Sequence, residues 1–124
     1  MHDLENIEDS YSKLGEAFFV GCNNAGVIGT VGVKREDERT AFIRRIFVHP
    51  KYRGKKIGSK LMDRAIEFCR EVGYQEIVFK TTSKMTGAIS LCLHKGFVER
   101  AKIELGGIEL LKFTLFIKEN SPLS

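Results

Sequence analysis

Residues 48–61 read VHPKYRGKKIGSKL, and the predicted fold is arranged around this segment. Residues 41–48, which lead into it, are rich in β-branched and aromatic side chains and predict a strand. Pro50 has no backbone N–H and holds the preceding residue in an extended conformation, so the strand should end near His49. Gly54 and Gly58 then lead into a helix. The segment therefore predicts a strand, a turn, a basic glycine-containing loop and a helix start.

The helix is predicted from Ile57 onward, with Gly73 as its C-terminal cap. Its apolar residues recur at helical spacing on one face, at Ile57, Leu61, Met62, Ala65, Ile66, Phe68, Cys69 and Val72. A loop of this kind exposes unpaired backbone N–H groups at the positive end of the helix dipole. Such helix starts bind phosphate groups.

Positive charge is concentrated in the same region. The 124-residue chain has a formal net charge of +4. Seven Lys and Arg and no acidic residue lie between Arg44 and Met62, while the rest of the chain has 13 Lys and Arg against 16 Asp and Glu. The positive charge therefore belongs to one loop, where it favours an anionic ligand.

Two motifs resemble those of the GCN5-related N-acetyltransferase (GNAT) family. Residues 48–61 are similar to its acyl-CoA loop, whose pattern is Gln/Arg-x-x-Gly-x-Gly/Ala. Arg53 and Gly58 match the two ends of that pattern, and Lys56 replaces its first glycine. We expect Lys56 to be helical already, so that no positive φ is required of it. Residues 88–97, AISLCLHKGF, resemble the family's late helix that ends in Gly-Phe, and the resemblance covers roughly residues 18–117.

The resemblance implies an N-acyltransferase that transfers an acetyl group from acetyl-CoA to a primary amine of a small molecule or peptide. The amine would attack the thioester directly, and the Val48 N–H would stabilise the oxyanion. Residues 46–48 would pair with the pantetheine arm, and residues 53–59 would hold the pyrophosphate. The implied cofactor-binding residues are Ile46, Phe47, Val48, Arg53, Gly54, Lys55, Lys56, Ile57, Gly58 and Ser59.

The residues that would handle protons depart from the family pattern. Cys92 stands where the family often has a tyrosine as general acid, and a thiol with a pKa near 8.5 can protonate a thiolate leaving group. Simple packing of Cys92 on an apolar helix face is the preferred interpretation. Phe42 stands at the position of a glutamate base, and Met85 replaces an asparagine. These differences support an alternative, a non-catalytic or weakly active acyl-CoA-binding domain.

A third interpretation is nucleic-acid binding through the basic stretch 44–60. It is disfavoured because the stretch lacks interleaved exposed aromatic residues and the chain has no recognisable helix-turn-helix. Cys22, Cys69 and Cys92 form neither an even disulfide set nor a metal-binding pattern, so we expect reduced thiols and no metal. No apolar run reaches the roughly 20 residues of a membrane span, and the N-terminus does not resemble a signal peptide. We therefore predict a cytoplasmic protein that does not bind membranes.

The rest of the chain predicts a single domain, residues 1–124. Leu4, Ile7, Tyr11 and Leu14 are spaced like a helix that ends at Gly15. Further strands are expected at 17–21, 27–33, 76–81, 97–105 and 108–117, with a helix at 86–95 capped by Gly96. The predicted fold class is α/β, with a mixed, mostly antiparallel sheet, a central parallel pair and flanking helices.

Compared with the family, the chain is expected to be short at its N-terminus. Members generally have another strand and a helix before the segment that matches residues 4–15. Because that part helps to wall the acceptor site, we expect either an unusually open site or a homodimer in which a second subunit completes it.

Overall fold

The computed structural model describes Leu4 and residues 6–117, which form one sheet of seven strands and two α-helices. The elements are β1 (Asn6–Lys13), β2 (Glu16–Asn23), β3 (Gly26–Arg35), β4 (Thr40–Val48), α1 (Ile57–Val72), β5 (Glu76–Thr82), α2 (Thr86–His94), β6 (Val98–Leu105) and β7 (Ile108–Phe116). The sheet order is β1-β2-β3-β4-β5-β7-β6. The pair β4–β5 is parallel, and the other five neighbouring pairs are antiparallel. The predicted fold class is confirmed.

Helix α1 follows from its apolar stripe. The residues that it buries are Ile57, Leu61, Met62, Ala65, Ile66 and Cys69. It packs on the central strands, where Phe19, Val31 and Ile43 are each at most 3% exposed. Each such aliphatic or aromatic side chain contributes roughly 1.5–3 kcal/mol when fully buried. Gly73 ends the helix at φ +100°, and its N–H donates to the Cys69 carbonyl at 3.1 Å.

Both helices cover the same face of the sheet. The connections β4–α1–β5 and β5–α2–β6 each join parallel strands in the same direction across the sheet, and right-handed crossovers then place both helices on one side. Asp63 Oδ1 of α1 lies 2.8 Å from Lys95 Nζ, just after α2. This ion pair is consistent with both helices lying on the same face. We call the opposite side the open face, because none of the described helices packs on it. It carries Phe18, Gly32, Phe42, Arg44, Lys80 and Lys112.

The helix predicted at residues 4–15 is wrong. Residues 6–13 form β1, which pairs antiparallel with β2 across a tight turn at Leu14 and Gly15. Leu4 is 9% exposed, whereas Leu14 is 88% exposed, so the two ends of the apparent helical stripe do not share a buried face. Gly15 adopts φ +77°, which a tight turn between strands requires and a helix does not. Pairing with β2 therefore overrides the short 3-4-3 spacing.

The other predicted elements are confirmed, with ends that move by one or two residues. The turn between β6 and β7 places Gly106 at φ +54° and Gly107 at φ +84°, the two positive values that a type I′ hairpin needs. After α2, Gly96 adopts φ +95°, and the Phe97 N–H donates to the Cys92 carbonyl at 2.9 Å. This is the expected glycine-ended helix terminus.

Candidate active site

A cleft opens where β4 and β5 separate. The two parallel strands pair only at their beginnings, and the last of three pairs joins Phe42 to Val78. Beyond that point β4 contains a bulge, because its register with β3 shifts by one residue between Thr30 and Gly32. Arg45 lies in the bulge at φ +54°, and its carbonyl accepts a hydrogen bond from Thr30 Oγ1 at 2.9 Å. A bulge bends its strand, so β4 turns away from β5 and leaves its edge accessible.

The end of β4 presents backbone groups to this cleft. The His49 N–H donates to the Ile28 carbonyl at 2.8 Å, which directs it toward β3. Consecutive residues of a strand direct their backbone groups to opposite edges, so those of Val48 and Ile46 face the cleft. This orientation suits the predicted roles of both residues. The backbone groups of Phe47 instead face β3, where Phe47 is paired with Thr30.

The loop after β4 is held against the strand by its own side chains. Arg53 Nε donates to the Val48 carbonyl at 3.1 Å, and the Lys51 N–H donates to His49 Nδ1 at 3.2 Å. The Tyr52 N–H donates to the His49 carbonyl at 2.8 Å and closes a short 3-10 turn at Pro50–Tyr52. Besides Nε, the Arg53 guanidinium has two Nη groups that are further hydrogen-bond donors. The loop therefore positions a guanidinium beside the cleft.

Lys56 departs from the prediction that it would be helical. It is the N-terminal cap of α1, and it adopts the left-handed conformation at φ +63° without a side-chain capping bond. This conformation costs a non-glycine residue roughly 1–2 kcal/mol, so the glycine of the family pattern would fit here without strain. The prediction failed because Lys56 lies before the first helical turn. The Lys60 N–H donates to the Lys56 carbonyl at 3.1 Å.

The helix start leaves three backbone donors for an anion. The N–H groups of Ile57, Gly58 and Ser59 belong to the first turn and have no intrahelical acceptor. A Cβ atom at Gly58 would lie 3.6 Å from Val48 Cγ2 and 3.7 Å from Leu91 Cδ2, so β4, α1 and α2 meet at this glycine. Gly54 adopts φ +80° and serves the turn of the loop. The predicted phosphate-binding residues therefore surround one helix N-terminus.

Cys92 lies in the core. Its side chain is 0% exposed, and burial raises the pKa of the thiol to about 12. Transfer of a proton from such a thiol to a thiolate with a pKa near 8.5 is unfavourable by about 5 kcal/mol. This favours the packing interpretation. Phe42 is half-buried on the open face and cannot act as a base, and Met85 is the N-terminal cap of α2 with 56% exposure.

Sequence reasoning missed two cations beside the cleft. Lys80 of β5 lies directly opposite Lys112 of β7, and Lys80 Nζ is 5.1 Å from the centre of the Phe42 ring. No local pattern marks either lysine, because their proximity depends on the pairing of strands 32 residues apart along the chain.

Metal ions and disulfides each require a particular cluster of side chains. Residues 6–117 with Leu4 contain no group of three His, Cys, Asp or Glu arranged to hold a metal ion. The three cysteines are unpaired thiols. Among these residues, neither helix has the length and apolarity needed to cross a membrane.

The chain is similar to known proteins over most of its length. Residues 1–97 match the Acetyltransferase (GNAT) family. The chain is 36% identical over 123 residues to an N-acetylaspartate synthetase of Danio rerio, covering 98% of this chain and 41% of that protein. It is 32% identical over 101 residues to the human N-acetyltransferase 8B, covering 77% and 44%. The chain thus spans less than half the length of these curated relatives.

Solved structures share the fold. A GNAT-family acetyltransferase of Staphylococcus aureus superposes with a TM-score of 0.74 at 27% identity, covering 85% of this chain and 70% of that one. A GNAT-family acetyltransferase of Elizabethkingia anophelis, solved with acetyl-CoA bound, has a TM-score of 0.72 at 22% identity, covering 83% and 77%. Together with the match over residues 1–97, these similarities show that the chain belongs to the GNAT acetyltransferase family.

Proposed function

We propose that this chain is an N-acetyltransferase that transfers the acetyl group of acetyl-CoA to a primary amine of a small molecule or peptide. The observation that carries the proposal is the accessible edge of β4, which ends at a helix start surrounded by cations. An acyl-CoA needs both features, because the pantetheine arm has amides to pair and the pyrophosphate has charge to neutralise. The names of the two curated relatives and the acetyl-CoA-bound structure support acetyl-CoA as the co-substrate.

In the proposed reaction, the neutral amine nitrogen attacks the thioester carbonyl carbon. The carbonyl oxygen gains negative charge, and the Val48 N–H donates to it from the end of β4. The C–S bond then breaks, and CoA leaves as a thiolate that takes a proton from solvent. The proton lost by the amine nitrogen passes to water. In this route the protein binds and orients the acyl donor and the amine. Cys92 transfers no proton.

The alternative is an acyl-CoA-binding domain with little or no turnover. Two observations favour it, since Phe42 cannot accept a proton and the Cys92 thiol is buried with a raised pKa. Both proposals predict CoA binding, so they differ only in turnover. Nucleic-acid binding through residues 44–60 remains the weakest alternative, because phosphate groups of CoA already account for the charge of the loop.

The test measures binding and turnover on the same preparation. Calorimetry with CoA should show binding that weakens with salt, because much of the contact is with phosphate charge. Thiol release from acetyl-CoA is then followed with a panel of amines that includes aspartate, since one relative is named for N-acetylaspartate. Release that depends on an amine supports the enzyme. CoA binding without release from any amine supports the binding domain, and an absence of CoA binding contradicts both.

A homodimer and a cytoplasmic location remain predictions. Strand β6 supplies an argument for the dimer, because it is one of the two edges of the sheet and every residue in it is exposed. Antiparallel pairing of two β6 edges centred on Ile103 would place Lys102 opposite Glu104 of the second copy, a favourable charge pair. Light scattering of the wild type and of Ile103→Lys tests the dimer, and fractionation of cells tests the location.

A further inference from the structure

Three cations and one aromatic ring lie on the open face of β4, β5 and β7 beside the cleft. Phe42 is the last residue of β4 that pairs with β5. Two residues further along each strand, Arg44 and Lys80 occupy corresponding positions on the two sides of the opening. Lys112 follows on β7, directly opposite Lys80. Because side chains alternate between faces along a strand, Phe42, Arg44, Lys80 and Lys112 all project to the open face.

Lys80 and Lys112 repel each other. Lysines directly opposite on adjacent strands destabilise a sheet, because their Cβ atoms are only about 5 Å apart. Lys80 contacts the Phe42 ring, and none of the ion pairs between described residues includes Arg44, Lys80 or Lys112. An anion bound among them would therefore replace repulsion with attraction.

Nearby acidic residues are already engaged. Glu76 lies at the other end of β5, where Oε1 accepts a hydrogen bond from Thr40 Oγ1 at 3.0 Å. Glu16 lines a cavity of about 500 Å³ together with Arg44, and its Oε2 accepts from the Arg35 N–H at 3.0 Å. Neither carboxylate forms an ion pair with Lys80 or Lys112 among the described residues.

From this placement we infer that the acceptor is an amine that also carries a carboxylate, and that Arg44, Lys80 and Lys112 bind that carboxylate. The inference rests on the proposed function, which supplies the reacting amine. The cations lie on the open-face side of the cleft, whereas the phosphate-binding loop lies at its end beside α1. The donor and the acceptor would thus use separate sets of cations.

The same cations help to explain how the amine reacts without a carboxylate base. Positive charge close to an ammonium disfavours its charged form and lowers its pKa. A carboxylate-bearing acceptor would be attracted by its acid group while its amine is held as the neutral nucleophile. The Phe42 ring, which stands where the family pattern has a glutamate base, would then serve as an apolar support for the acceptor's carbon chain.

The first test uses succinate as a probe, because it carries two carboxylates and no amine and so does not depend on turnover. Titration into the ¹⁵N-labelled protein saturated with CoA should shift the amide signals of residues 42–44, 80 and 112. The double variant Lys80→Gln/Lys112→Gln should lose these shifts, whereas Arg70→Gln, which removes an exposed cation of α1, should keep them. Shifts confined to residues 53–59, or no shifts, would overturn the inference. Succinate binding at the cleft with no acetylation of any amine would instead reject the proposed function and leave the carboxylate site standing.

The second test compares turnover on matched amines, glycine with glycinamide and aspartate with its dimethyl ester, as rates per neutral amine. Free carboxylates should be preferred at least about 10-fold. Glycine has one carboxylate that glycinamide lacks, aspartate has two that its dimethyl ester lacks, and each can accept a charge-assisted hydrogen bond. The ratio of the two rates should fall toward one in Lys80→Gln/Lys112→Gln. It should persist in Lys80→Arg/Lys112→Arg and be unchanged in Arg70→Gln. Equal rates on acids and amides in the wild type would contradict the inference.

Discussion

Two strand–loop–helix units of the same topology lie side by side in this fold, and only one of them has the features of a phosphate site. The units are β4 to α1 and β5 to α2. Neither helix has a side-chain cap, since α1 begins after Lys56 and α2 after Met85, and each has a glycine as its second residue. Both starts therefore offer unpaired N–H groups. Their loops differ, because residues 49–56 contain four Lys and Arg and residues 83–85 contain one.

The difference shows that a helix start does not by itself make this site. The partial positive charge of a helix start is present in both units. Only the first unit also has a basic loop, residues 49–56, and an accessible strand edge, that of β4. Gly58 also lies close to Val48 and Leu91, whereas a Cβ at Gly87 would meet nothing within 4 Å. The matched residues of the two units allow each contribution to be tested with an internal control.

The largest expected effect comes from Gly58→Glu. Its carboxylate would occupy the position of a phosphate and repel the pyrophosphate, so we expect CoA affinity to fall at least about 100-fold, or about 2.7 kcal/mol. Gly87→Glu adds the same charge at the same helical position of α2 and should leave affinity within about threefold. Calorimetry measures both, with melting temperatures to establish folding. Equal losses in the two variants would show that the first loop is not the CoA site.

The second comparison uses one buried thiol in each helix, Cys69 of α1 and Cys92 of α2, both 0% exposed. We expect Cys69→Ala and Cys92→Ala each to lower the free energy of unfolding by about 1–2 kcal/mol through a small cavity. Turnover per folded molecule should be unchanged in both, and denaturant titration with thiol-release assays measures the two quantities. A fall in turnover of 10²-fold or more in Cys92→Ala alone would restore Cys92 as a general acid.

The two units also show why part of the fold could be predicted from the sequence. Helix α1 has a long apolar stripe ending in Gly73, and Pro50 marks the end of β4, so local patterns specified the first unit. The chain at 4–15 is too short for periodicity to decide, and its pairing with β2 is a tertiary effect. The left-handed conformation of Lys56 has no signature in a lysine. The proximity of Lys80 and Lys112 depends on a strand register, which no local segment contains.

The third prediction concerns alkaline stability. Burial raises the pKa of both Cys69 and Cys92 from 9.0 to about 12. Above pH 9 the unfolded chain releases these protons while the folded protein keeps them, so the free energy of unfolding should decrease as pH rises toward 12. Each thiol should contribute a loss of about 1 kcal/mol between pH 9 and 10. Urea titrations at both values measure this, and Cys69→Ala should show a smaller loss than the wild type. An equal loss in that variant would contradict the assignment.

The smallest expected effect separates the two helix caps. Lys56→Gly relieves left-handed strain but loses backbone entropy, so we expect stability to rise by up to about 1 kcal/mol. Met85 has φ −86° and no such strain, so Met85→Gly should lower stability by about 0.5–1 kcal/mol. Thermal melts of both variants measure the difference. A stability loss in Lys56→Gly equal to that of Met85→Gly would show that Lys56 is not strained. The CoA affinity of Lys56→Gly should fall no more than a few-fold, because the variant loses one ammonium group.

The strand order β5-β7-β6 has a consequence for synthesis on the ribosome. The last described strand to emerge, β7, takes an interior position between two strands made before it. Until β7 has left the exit tunnel, β5 is an unpaired edge and β6 has no neighbour in the sheet. The nascent chain therefore carries the meander β1–β4 with α1 and β5 as an incomplete sheet that is prone to pairing with other chains. Release of the β6–β7 hairpin from the tunnel closes that edge, so the sheet is completed only after this region has been translated.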